Sequence, residues 1–125
     1  MNITNDKVTE YINGFYKPLS PELGALRLEA ETNKVPIILK ETESWLFTLL
    51  STIKPNRILE IGTAVAYSAL FFAEVCCNCH IDSIEFNEDN YHIALENIKK
   101  LGKEDKISVY LGDGAEEAEK LKGKG

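Results

Sequence analysis

Three short runs of this 125-residue chain end in polar residues that could do chemistry. The run Arg57-Ile-Leu-Glu-Ile stops on Glu60, Gly62 and Thr63; Ile84-Glu85-Phe86-Asn87 sets an acid beside an aromatic; Leu111-Gly112-Asp113-Gly114 ends on a turn acid. Glu85 lies 23 positions after Gly62, close to the separation at which an acid ending a second strand reaches a ribose diol. A carboxylate accepts from two hydroxyls and repels a 2′-phosphate, so Glu85 calls for an unphosphorylated nucleoside; the alternative is a solvated strand-end acid. Asp113 suits two roles, acceptor for an exocyclic amine such as adenine N6 or turn residue of a Gly-Asp-Gly bend. Phe86 suits stacking on a purine or filling a core.

A dinucleotide fold wants Gly-x-Gly-x-x-Gly where backbone meets pyrophosphate. Here Ala64 and Tyr67 stand where the second and third glycines would fall, and no Gly-Lys-Ser/Thr is present. Glu60 beside the turn repels a pyrophosphate, no basic residue in the turn offsets it, and the same carboxylate favours a cation. The ligand outlined is an adenosine without phosphates that carries positive charge. S-adenosylmethionine fits, with its α-amino group near Glu60 and its carboxylate facing helix-start donors such as the Ser68 hydroxyl. The alternative for Glu60 is a strand-end acid that ties down the turn.

Cys76 and Cys79 have the C-x-x-C spacing, with Cys77 between them. A structural zinc site needs four ligands, and only the adjacent His80 and distant His92 accompany them. Their place at the end of a helical pattern disfavours a thiolate. The expectation is no metal and no redox role, the cysteines serving as small apolar residues in a reducing compartment.

The elements that must position these groups follow from periodicity. Helices are expected from about Asn5 to Tyr16 (Val8, Ile12, Phe15), from a Ser20 cap with Pro21 to about Asn33, and from Thr42 to Ile53 with Trp45, Leu46, Leu49, Leu50 and Ile53 on one face. Val35-Pro36-Ile-Ile-Leu reads as an extended link, because Pro36 biases Val35 away from helix. Then the period changes. RILEI, HIDSIEF and KISVYL read as strands, separated by helices over Val65–Cys76 and Asp89–Leu101, the latter capped by Asn87 and facing inward through Tyr91, Leu95, Ile98 and Leu101. Connections this long predict parallel strands with right-handed crossovers, and ligands collect at the carboxyl ends of such strands. All three acidic ends then share one edge.

With 44% apolar and 27% charged residues the chain reads as one globular domain. A net charge of −6 argues against broad nucleic-acid binding. No apolar stretch approaches the roughly 20 residues of a membrane span, and no basic region precedes an apolar one at Met1, so no membrane role and a cytoplasmic place are expected.

The stretches VPIILKETESWLFTLLSTIKPNRILEIGTAVAYSALFFA, IDSIEFNEDNYHIALENIKKLG and ISVYLGDG resemble the N-terminal half of the S-adenosylmethionine-dependent O-methyltransferases of the catechol and caffeoyl-CoA type, especially small bacterial members. The resemblance runs from the second helix onward and is most specific at EIGTAVAYSAL. It implies an α/β, Rossmann-like methyltransferase fold with N-terminal helices, truncated after the third parallel strand: residues 1–54 a helical segment, 55–125 the first half of the cofactor domain. It implies S-adenosylmethionine over Gly62, Thr63 and Ser68, ribose on Glu85, adenine near Phe86 and Asp113, and Val35 to Ile37 folded over the methionine part. It also implies a homodimer, and a methyl acceptor that is a catechol-like hydroxyl or a hydroxylated base in tRNA. The family carries glycine where this chain has Ala66 and near Glu43. Its metal-binding aspartate and catalytic base would follow this segment, so no catalytic residue is assigned and a divalent metal such as Mg is expected only in the complete protein. Two other classes remain open: a non-catalytic nucleoside-binding or dimerisation module, and a nicotinamide-dependent oxidoreductase, which the missing glycines disfavour.

Overall fold

The computed structural model describes residues 5–124. Three helices come first: α1 (Asp6–Asn13), α2 (Pro21–Thr32) and α3 (Lys40–Ile53). Then strand and helix alternate: β1 (Arg57–Ile61), α4 (Tyr67–Val75), β2 (His80–Glu85), α5 (Glu88–Lys100), β3 (Ile107–Leu111) and α6 (Gly114–Leu121). Side-chain oxygens start most of the helices. Asn5 accepts from the Lys7 N–H, Ser20 from Leu23 with Pro21 in the first turn, and Asn87 from Asn90, each satisfying a donor the helix itself leaves orphaned.

The three strands form one parallel sheet in the order β1-β2-β3. Register aligns Ile58 with Ile81 and Ile81 with Ile107, and Glu60 with Ser83 and Ser83 with Val109. Alternation sends these residues to one face, where Ile58, Ile81, Ile107 and Val109 meet a core of Leu23, Leu26, Leu50, Leu70, Phe71, Ala94 and Ile98. Helix α4 is buried on nearly every side, which explains why its sequence, Tyr-Ser-Ala-Leu-Phe-Phe-Ala, shows no polar stripe. On the other face Asp82 is buried, paired with Arg57 and accepting from the Tyr110 hydroxyl at 3.1 Å. Leu59 and Ile61 of β1, 50% and 65% exposed, remain open there.

Several expectations shift. Helix α4 begins at Tyr67 rather than Val65, because the turn needs Ala64 (φ 48°) and Ala66 (φ 67°) in the left-handed region. Trp45 and Ile53 are exposed on α3, whose buried residues are Glu43 and Leu50. Val8, Ile12 and Phe15 are also exposed. The buried residues of α5 are Ala94 and Ile98, while Leu95 is 38% exposed. Helix α6 was not legible in advance: Gly-Ala-Glu-Glu-Ala-Glu-Lys-Leu buries no residue, and Asp113 starts it by accepting from the Ala115 and Glu116 N–H groups.

This assigns unequal weights to two leucine-sized side chains of α5. Ile98→Ala, which leaves a cavity in the core, is expected to cost about 2–5 kcal/mol in urea denaturation, against less than about 1 kcal/mol for Leu95→Ala.

Candidate functional site

The carboxyl ends of β1 and β2 build the site. Gly62, at φ 93°, donates its N–H to the Ile84 carbonyl at 2.8 Å, carrying the ladder one residue past β1. A substituent at Gly62 would meet no atom within 4 Å, so the backbone here faces open space. The chain then coils through Thr63–Ala66, closed by the Ala66 N–H donating to the Thr63 carbonyl at 2.9 Å. That coil turns the Ala64 N–H toward β2, where it donates to Glu85 Oε2 at 2.8 Å; the Asn87 N–H donates to Oε1 at 2.9 Å. Glu85, 7% exposed, thus fastens the turn after β1 to the turn after β2. Each of its oxygens keeps a further acceptor direction for a ligand hydroxyl.

Glu60 lies beside it. Ser83 Oγ donates to Glu60 Oε1 at 2.6 Å, and the Thr63 and Ser83 hydroxyls are 2.6 Å apart. One hydroxyl has one proton, so when Ser83 gives its proton to Glu60 the second bond must run from Thr63 to Ser83. Burial pushes the Glu60 carboxyl up to about 7; the Ser83 hydrogen bond opposes this and the neighbouring Glu85 adds to it. A group poised this way accepts a cation readily, because the cation favours its ionised form.

Above the turn lies an open pocket of about 300 Å³, walled on one side by Pro36, Ile37 and Ile38 and on the other by Gly62, Thr63, Ala64, Tyr67 and Ser68. No basic side chain is among these residues. A larger groove, about 800 Å³, runs between β1 and α6 near Leu59 and Asp82. It lies toward the start of β1, away from the carboxyl edge, and includes Asn56, Arg57 and Asp82.

The structure brings Ile37, Gly62, Thr63 and Ser68 together around this pocket, with Glu60 and Glu85 at the base of its turn. Val35 does not line it: its side chain packs on the core and its N–H closes the end of α2 on the Ala30 carbonyl. Phe86 is 79% exposed, which removes the core-filling alternative and leaves its ring free beside Glu85. Asp113 Oδ1 caps α6, so the turn role is present. Ile38 was not singled out from sequence, and Pro36, Ala64 and Tyr67 were noted there for backbone or glycine pattern rather than as lining residues. Behind them sits a buried cluster, Arg27, Glu43 and Tyr67 with Tyr16. Its signal was available: Glu43 shares a helical face with Leu46 and Leu50, and an acid on an apolar face calls for a buried hydrogen-bonding or cationic partner.

Cys76 and Cys79 are buried free thiols; burial, with the neighbouring Cys76, pushes the Cys79 thiol up to about 11. Among the described residues no group of three or more His, Cys, Asp or Glu side chains is placed to hold a metal, and no helix is long and apolar enough to cross a membrane.

A parallel sheet wound in this order, with acids at its carboxyl edge and a turn built on Gly62, defines a Rossmann-like fold of the methyltransferase kind. The chain belongs to the O-methyltransferase family, whose model matches residues 19–125. Over 66 residues it is 33% identical to a caffeoyl-CoA O-methyltransferase of Stellaria longipes, a match covering 52% of this chain and 27% of that one. A provisionally named caffeoyl-CoA O-methyltransferase structure from Staphylococcus aureus superposes with a TM-score of 0.80 at 29% identity, covering 94% of this chain and 55% of that one. The S-adenosylhomocysteine-bound methyltransferase PaMTH1 of Podospora anserina gives 0.85 at 24% identity, covering 94% and 53%. The chain therefore spans about half the length of these solved structures.

The Glu60 carboxyl generates a pH prediction. Its proton is held more tightly in the folded state, so stability falls as pH rises from about 4.5 to about 7 and the loss persists above that. Comparison of urea midpoints for the native chain and Glu60→Gln is expected to show the variant gaining up to about 3 kcal/mol between pH 4.5 and pH 8. Parallel pH profiles would refute the assignment.

Proposed function

We propose that this chain carries the cofactor site of an S-adenosylmethionine-dependent O-methyltransferase. In the complete protein a methyl group would pass to a hydroxyl of a small aromatic or of a hydroxylated tRNA base. The observation that carries this reading is the pair of adjoining carboxylates, Glu60 half-buried and Glu85 buried, under a turn with no basic side chain. A pyrophosphate is repelled there, while a nucleoside diol joined to a cationic amino-acid arm is matched at both ends. Bound S-adenosylmethionine supplies an activated methyl on its sulfonium.

The residues of this chain bind and orient. Glu85, held by two backbone N–H groups, accepts from the ribose hydroxyls; Phe86 offers an exposed ring to adenine, with Asp113 at the neighbouring strand end. Ile37, Gly62, Thr63 and Ser68 surround the arm, and Glu60 neutralises its ammonium group from below. The net charge of −6 favours a small acceptor over RNA. A divalent metal of the Mg class, with the groups that activate the acceptor, would be held by other residues of the complete protein, acting as a cytoplasmic homodimer. In that scheme residues 1–54 form the helical segment and 55–125 begin the cofactor domain.

Calorimetric titration tests the reading. The chain is expected to bind S-adenosylhomocysteine and not NAD. Glu85→Gln, which keeps one acceptor oxygen but loses the charge, should weaken that binding at least tenfold, about 1.4 kcal/mol. A preference for NAD, or an unchanged affinity in the variant, would contradict it.

A further inference from the structure

Arg27 is 4% exposed and lies in the core, outside the pocket. Its guanidinium nevertheless reaches both pocket walls. Nη2 donates to the Ile38 carbonyl at 2.9 Å, on the Pro36–Ile38 wall. Nε donates to the Tyr67 hydroxyl at 3.2 Å, on the wall that carries Gly62 and Ser68, and to the Tyr16 hydroxyl at 3.1 Å. Nη2 also meets Glu43 Oε2 at 2.5 Å, to which the Tyr67 hydroxyl donates at 2.7 Å. Nη1 takes Glu31 at 3.0 Å, which fixes the plane of the fork.

One rigid cation therefore spans the gap from behind. We propose that Arg27 is a positioning residue, setting the spacing between the Pro36–Ile38 segment and the start of α4 so that the pocket accepts the amino-acid arm of the cofactor. This rests on the functional reading above. The nucleoside end depends on Glu85 and the turn after β2, which Arg27 does not touch, so the two ends of the ligand should respond differently to its loss. Lysine cannot replace it: an ammonium is a point donor on a flexible stem and cannot hold two walls through one planar fork.

The test is titration of the unaltered chain, Arg27→Lys and Tyr67→Phe with S-adenosylhomocysteine and with 5′-methylthioadenosine, which has the nucleoside and sulfur but lacks the amino acid. Fold is checked by thermal melting. The expected result is that Arg27→Lys weakens S-adenosylhomocysteine at least about tenfold while methylthioadenosine changes less than about twofold. Equal weakening of both ligands, or of neither, overturns the positioning role. Should Arg27→Lys not fold, Tyr67→Phe decides: it removes one strut but keeps the ring, and must show the same selective loss, smaller in size. If the unaltered chain binds neither ligand, the functional reading itself fails, and that outcome is separate from any variant's behaviour.

Discussion

A guanidinium withdrawn from water needs hydrogen-bond partners, and each of the three nitrogens of Arg27 has at least one. Its partners come from α2, the link before α2, the extended Val35–Leu39 segment, α3 and α4. Burial alone would lower the Arg27 pKa, but the hydrogen bonds to Glu43, Tyr67 and Glu31 more than reverse it. Burial also pushes up both phenols, Tyr67 strongly and Tyr16 less so. The cation stays charged and the two hydroxyls stay protonated over the range where the protein folds. Removing one partner from such a knot leaves an uncompensated charge, which costs far more than the pair contributes. The N-terminal helices are thereby bound to the rest of the fold by polar as well as apolar contacts, although Val8, Tyr11, Ile12 and Phe15 on α1 and its exit are exposed.

The carboxyl edge shows the opposite use of charge. Glu85 is also buried and Glu60 half-buried, yet neither hydrogen-bonds a cationic side chain; hydroxyls and backbone N–H groups hold them. That arrangement leaves negative potential facing a small pocket, and places one carboxyl where it titrates near neutrality. The contrast is between a charge matched by a cation within the fold and charges met only by hydroxyls and backbone N–H groups.

Much of this was legible in the residues. The period change after Lys54, the three strands, the parallel winding and the acid at each strand end all follow from local pattern, because buried parallel strands read as short β-branched runs wherever they occur. What sequence reasoning missed depends on geometry over longer range. Which of Trp45, Ile53 and Leu50 faces the core is set by how α3 meets α4, and apolarity alone cannot rank them. Helix α6 buries too little to leave a stripe. The left-handed alanines, Ala64 and Ala66, contradict local preference, and such a turn is maintained by what surrounds it, here the Glu85 carboxylate that receives the Ala64 N–H. Glu43 was visible as an oddity, but its partner lies sixteen residues away on another helix.

The spatial order of the strands, β1-β2-β3, is also their order along the chain. Each strand joins its immediate predecessor through a single helix, so every ladder closes a loop of modest length and none waits for a distant segment. Low sequence separation between partners lowers the entropic barrier to pairing and speeds folding. A sheet of this kind can be laid down from its amino-terminal side as synthesis proceeds, and the turns after β1 and β2 are joined once β2 has docked on β1 and Glu85 has captured the Ala64 N–H.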